Sequence, residues 1–137
     1  MIISNSTIQE AFKIAKTSKV RRGKVGSIVF LNNGYVLAKA SNKSIYGSTH
    51  RWTIHSEDFL LQKVRKLRII ERFGSDNLNI LVVRWRKLDN SLANAKPCSR
   101  CEWLLRSSGI RYYYSNKFGS ICESDGIGIY KNWGVFK

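Results

Sequence analysis

The sequence predicts an α/β domain in which a mixed five-stranded sheet is flanked by helices. Three observations predict it. Short β-branched apolar runs alternate with segments of helical periodicity in the order α-β-β-α-β-α-β-β, the pattern of strands joined by helices. Asn32-Asn33-Gly34 joins the first two apolar runs into a hairpin, because Asn and Gly tolerate positive φ. Two chemically loaded pieces, His55-Ser56-Glu57 and Pro97-Cys98-Ser99-Arg100-Cys101, fall at the starts of consecutive helices with one strand between them.

In chain order, Ser6 to Lys16 forms the first helix, with Ser6 or Asn5 as cap, Glu10 in capping-box spacing after Thr7, and Ile8, Ala11, Phe12 and Ala15 on one face. The basic stretch Lys16 to Lys24 is a loop. Val25 to Leu31 and Tyr35 to Ala40 are the hairpin strands, and the aperiodic Ser41 to Arg51 is a loop. Ile54 to Phe73 is the longest helix, stopped by Gly74. Its apolar stripe of Leu60, Leu61 and Val64 also contains Glu57, so this carboxylate either has a specific partner or is solvated at a late helix start. Leu78 to Arg86 is the third strand and Lys87 to Lys96 a polar loop. Cys98 to Ser108 is a short helix ended by Gly109, with Pro97 favourable beside its first turn. Ile110 to Ser115 and Ser120 to Glu123 are the last strands, joined by a turn at Asn116 to Gly119. The tail from Ser124 to Lys137 has no clear period.

Length and composition set the outer limits. The 137 residues read as a single domain over 1–137, enough for one core and short for two. Hydrophobic residues at 43% argue against disorder. No apolar run of about 18 residues suggests a membrane span, and no signal-like apolar region opens the chain. Three cysteines, an odd count, do not suggest a closed disulfide framework. The expected setting is reducing and intracellular: cytoplasmic, or nuclear for a eukaryotic or viral protein.

One histidine and two cysteines supply three protein ligands for a zinc ion, Zn2+, and leave the fourth tetrahedral position for water. C-x-x-C at a helix start puts Cys98 and Cys101 on one turn, where the positive helix end favours thiolates. His55 begins the preceding helix. Glu57, two residues on, can move protons for that water without binding the metal. Three other readings compete. Cys98 and Cys101 can be a redox pair. His50 can complete a closed Cys2His2 site, giving a zinc-stabilised nucleic-acid-binding module without catalysis. All of these residues can also be ordinary packing.

The pairing H-x-E … P-C-x-x-C resembles the signature of the zinc-dependent cytidine deaminase superfamily, and the resemblance runs from about Val25 to Cys122. It implies a three-layer fold, zinc at His55, Cys98 and Cys101, and proton transfer by Glu57. It also implies that the backbone at Ser56 accepts the amino group of the base, and that Asn42, in the turn after the second strand, contacts the sugar. Only a short turn separates the last two strands, which resembles the branch in which they run antiparallel. The implied reaction is hydrolytic conversion of cytosine to uracil.

The charge bears on substrate size. Lys and Arg total 24 against 9 Asp and Glu, a net +15 that should draw polyanions. Neither a nucleoside nor a nucleotide enzyme needs such an excess, whereas phosphate contacts dominate affinity for nucleic acid. Single-stranded DNA or RNA is therefore the expected partner, with Arg21, Arg22, Lys24, Lys43, Arg51 and Arg100 as phosphate contacts. Trp52 and Tyr114 are the base-contact candidates, within a wider set of Tyr46, Trp103, Tyr112 and Tyr113. The alternative substrate is free cytidine, deoxycytidine or their monophosphates.

Overall fold

The computed structural model describes residues 3–20, 23–44, 53–117, 119–124 and 128–130. The first helix, α1 (Asn5–Lys16), leads into strands β1 (Lys24–Leu31) and β2 (Val36–Ser41). A small ribbon, β3 (Lys43–Ser44) with β4 (Thr53–Ile54), precedes helices α2 (Ser56–Lys66) and α3 (Ile69–Phe73). Then come β5 (Leu78–Arg86), β6 (Ser91–Ala93), α4 (Ser99–Ser108), β7 (Arg111–Ser115), β8 (Ile121–Glu123) and β9 (Gly128–Tyr130).

One sheet runs β2-β1-β5-β7-β8-β9, with β6 beside the end of β5. The five expected strands run consecutively as β2-β1-β5-β7-β8, and β6 and β9 add two short ones. Among the described residues only β5 and β7 pair in parallel, joined by the crossover through α4. The β7–β8 pair is antiparallel, as the short turn between them predicts.

Strand alternation sorts the sheet into two packed faces. On one face α1 lays Ile8, Ala11, Phe12 and Ala15 over Ile28, Phe30, Leu81 and Val83. Gly26 permits this approach: a Cβ there would lie 2.5 Å from the Ala15 nitrogen and 2.8 Å from the Ala11 carbonyl oxygen. On the other face Leu60 and Val64 of α2 and Leu105 of α4 pack against Val29, Ile80, Val82 and Tyr112. The result is three layers: α1, sheet, and the α2–α4 pair. Among the described residues no helix is long and apolar enough to cross a membrane.

Several boundaries differ from the sequence reading. Ser4, not Ser6 or Asn5, caps α1, and its side chain accepts from the Thr7 amide. Thr7 instead donates its hydroxyl to the Gly34 carbonyl and ties α1 to the hairpin turn. The long helix is two: Arg68 enters the left-handed region at φ 55°, which redirects the chain and buries Ile69. No Gly, Asn or Pro marks that break, so local signals could not reveal it. The expected loops at Ser41 to Arg51 and Lys87 to Lys96 contain the short strands β3 and β6, which are held by their partners rather than by apolar periodicity.

Candidate active site

The β5–α4–β7 crossover sends the start of α4 to the carboxyl end of β5, where ligands of open α/β sheets gather. The start of α2 reaches the same place. Cys98 is the N-cap of α4, and its sulfur accepts from the Cys101 amide at 3.4 Å. His55 is the N-cap of α2 and extended in conformation, so its ring leaves the helix axis and turns toward the cysteines.

The Nδ1 of His55 lies 3.2 Å from the Cys101 sulfur and 3.6 Å from the Cys98 sulfur. All three donor atoms fall within 4.8 Å of one another. Zn–N near 2.0 Å and Zn–S near 2.3 Å at a tetrahedral angle put nitrogen and sulfur about 3.5 Å apart. These residues therefore fit zinc, and the thiolate–imidazole donor set suits it chemically. Cys101 is fully buried and Cys98 exposed. Burial first, and then the negative charge of Glu57, pushes the Cys101 thiol well above its ordinary range.

Glu57 is only 4% exposed and receives the Ser56 hydroxyl at 2.8 Å. The sequence left two possibilities for this carboxylate, and the structure shows it buried with a specific partner. It lines a half-open cavity of about 290 Å³ together with His55, Ser56 and Cys98. The nearby pair Arg100–Asp58, with nitrogen and oxygen 2.8 Å apart, ties α4 to α2 across the ligand set.

Asn42 also lines the cavity, at the end of β2. Its Oδ1 accepts from the Ser18 hydroxyl at 2.7 Å and the Val25 amide at 3.0 Å, and its Nδ2 donates to the Gly23 carbonyl at 2.7 Å. It therefore anchors the segment between α1 and β1 against the cavity wall.

The other sequence candidates scatter. Tyr114 packs in the core with Tyr112 and Cys122, outside the cavity lining, because β7 is covered on both faces. Tyr113 is buried against the α1 face. Trp103 is exposed on α4, in a groove it shares with Leu61 and Ile70. Lys24 donates to the Ser18 carbonyl, Lys43 lies over the Phe59 ring at 5.1 Å, and Arg100 is held by Asp58. Arg21, Arg22, Tyr46, His50, Arg51 and Trp52 lie outside the described residues.

Two cations that the sequence reading passed over line the cavity: Arg84 and Lys96. A signal for Arg84 was present. It follows Ile80 and Val82 at the two-residue spacing of a strand, so it shares their sheet face and emerges just past the core. Lys96 stands immediately before Pro97-Cys98, in a segment fastened by the Ala95 amide to the Ser115 carbonyl at 2.7 Å.

Known proteins share this fold. Among solved structures, the apo dCMP deaminase of the cyanophage S-TIM5 aligns with a TM-score of 0.58 and 23% identity over 95% of this chain and 90% of that one. The cytidine deaminase of Burkholderia pseudomallei aligns at 0.62 and 16% over 89% and 91%, and that of Mycobacterium leprae at 0.54 and 15% over 88% and 94%. At such identities the likeness is one of fold. Among curated proteins none matches the sequence. A family model described as "Cytidine and deoxycytidylate deaminase zinc-binding region" matches residues 1–116, which include both ligand motifs. With that match across most of its length, this chain belongs to the zinc-binding cytidine and deoxycytidylate deaminase family.

Proposed function

We propose that the protein hydrolytically converts cytosine to uracil in single-stranded nucleic acid. The observation that carries the chemistry is the shared cavity, which the buried Glu57 carboxylate lines together with two of the three clustered donors, His55 and Cys98. Zinc held by His55, Cys98 and Cys101 would supply Lewis-acid activation of a water near neutral pH.

The chain's own residues supply the rest. The Glu57 carboxylate takes one proton from the attacking water and delivers it to N3 of the base; it then takes the proton left on the new C4 hydroxyl and gives it to the amino group, which leaves as ammonia as the C4 carbonyl of uracil forms. The Ser56 hydroxyl, donating to Glu57 Oε1, fixes the carboxylate's orientation. The Ser56 carbonyl accepts the amino group of cytosine and so selects an amino-bearing base. Asn42, held by three partners at the cavity edge, contributes the sugar contact. The +15 charge supports a polyanionic substrate through its long-range field.

A second reading, deamination of a free nucleotide, is favoured by cavity size. About 290 Å³ is at the small end of the roughly 300–1,000 Å³ typical of small-molecule sites. Zinc-loaded protein offered pooled DNA and RNA oligonucleotides alongside nucleosides and nucleotides decides between them. Conversion of cytosine in oligonucleotides, with polymer binding that weakens steeply with salt, is expected. Conversion of monomers alone overturns the polymer reading, and no ammonia from any substrate overturns the enzyme.

A further inference from the structure

Among the described residues, the cations around this site fall into two groups. Lys24, Lys43 and Arg100 are each engaged with the protein: a carbonyl, an aromatic ring and a carboxylate respectively. Arg84 and Lys96 are different. Both are exposed and both line the cavity. Among the described residues neither side chain has a hydrogen-bond or ion-pair partner.

The sheet explains why Arg84 stands there. It pairs with Val25 of β1 on one side and Ala93 of β6 on the other. A residue flanked by strands on both sides can send its side chain only above or below the sheet. Arg84 takes the face of Ile80 and Val82, and the apolar layer ends just before it. The guanidinium passes beside Gly23, where a Cβ would lie 3.7 Å from its atoms. Gly23 is in turn held by Asn42. The Arg84 amide donates to the Ser115 hydroxyl, and that hydroxyl donates to the Ala93 carbonyl at 2.6 Å. Together with the Ala95–Ser115 bond, these contacts fasten the strand bearing Arg84 and the segment bearing Lys96 to the same residue of β7.

The charge around the cavity is therefore divided. Its buried part carries Glu57 beside the donors His55 and Cys98, and its exposed rim carries a guanidinium and an ammonium with no carboxylate of their own. An uncharged pyrimidine suits the buried part. Two unpaired cations at the rim suit an anion attached to that pyrimidine, with the guanidinium fork matched to phosphate oxygens and the ammonium adding a point charge. We infer that Arg84 and Lys96 form a phosphate-recognition rim, so that the substrate is a cytosine nucleotide gripped by its own phosphate rather than a bare nucleoside. This inference rests on the deaminase reading for what occupies the buried part, and it names the feature by which the site selects its substrate.

Binding of the uracil products tests the rim without turnover. Zinc-loaded protein is titrated calorimetrically with uridine and deoxyuridine, with their monophosphates, and with single-stranded oligonucleotides carrying one uracil. The phosphate-bearing ligands should bind about tenfold or more tightly than the nucleosides, the effect of one or two charge-assisted contacts. Arg84→Ala and Lys96→Ala should each reduce that difference, and the double variant should erase it, with zinc content and circular dichroism unchanged. Arg84→Lys should restore part of it. A monophosphate optimum assigns the phosphate to a free nucleotide, and an oligonucleotide optimum to a polymer. Equal affinity of nucleoside and monophosphate in the parent protein overturns the inference, as does a double variant that retains the full difference or a failure of every ligand to bind. Phosphate preference without ammonia release from any cytosine substrate would remove the deaminase reading and leave the rim standing.

Discussion

The Arg100 guanidinium and the Asp58 carboxylate meet at 2.8 Å, joining the turn between the two cysteines to the helix that begins at His55. Asp58 is the more buried partner, with its side chain 13% exposed against 68% for Arg100. The pair spans the two helix starts that carry the clustered donors His55, Cys98 and Cys101. Contacts that orient metal ligands commonly change metal affinity by about 10–100-fold when removed. Asp58→Asn should therefore weaken zinc binding by about tenfold in a chelator competition. Arg100→Ala should do the same, and the double variant should be no worse than either single one. Unchanged zinc affinity in all three would show that the pair does not position the ligands.

Glu57 is assigned to proton transfer, and the assignment separates cleanly from ligation. Glu57→Gln keeps the shape and the acceptor for the Ser56 hydroxyl but cannot carry a proton. Activity should fall by about 10²–10⁴-fold or more, while bound zinc, counted by elemental analysis, stays at the parent level. Loss of zinc on this substitution would make Glu57 a ligand.

The buried Cys101 thiol carries a pH consequence. Burial and the neighbouring Glu57 charge raise its proton affinity, so in the metal-free protein it holds its proton through neutral pH. Zinc binds the thiolate and must displace that proton. Apparent zinc affinity should then fall as pH falls, by about tenfold per pH unit for each proton released. Chelator competition between about pH 6 and 8 measures the slope. A pH-independent affinity would mean that Cys101 is not a ligand.

Gly26 is a packing requirement rather than a turn. A Cβ there meets backbone atoms of α1 at 2.5 and 2.8 Å, and backbone cannot rotate away as a side-chain tip can. Gly26→Ala should cost about 1–3 kcal/mol in denaturant unfolding, the usual penalty of overpacking. A stability equal to the parent's would show that α1 shifts freely on the sheet.

Much of this molecule was legible in the residues alone. The hairpin at Asn32-Asn33-Gly34, the five expected strands and the helix starts beside His55 and Cys98 rest on local chemistry, and local chemistry is what a sequence displays. The break at Arg68 and the strands β3 and β6 were not legible, since the left-handed turn serves the burial of Ile69 and the short strands exist through their partners. The same division runs through the site. Spacing and residue type were enough to name His55, Cys98 and Cys101 as donors and Glu57 as the carboxylate beside them. Charge count alone, however, could not tell an engaged cation from a free one. Lys24, Lys43 and Arg100 looked as available as any lysine or arginine, and folding gives each an internal partner. Arg84 read as the end of a core strand, and Tyr114 as a base contact. The sequence by itself determined the metal chemistry, because three donors on two helix starts need only local geometry to be recognised. Which side chains surround the cavity was decided by the tertiary structure alone, because the sheet face to which Arg84 turns and the layers that bury Tyr114 are set by strands and helices distant in the chain.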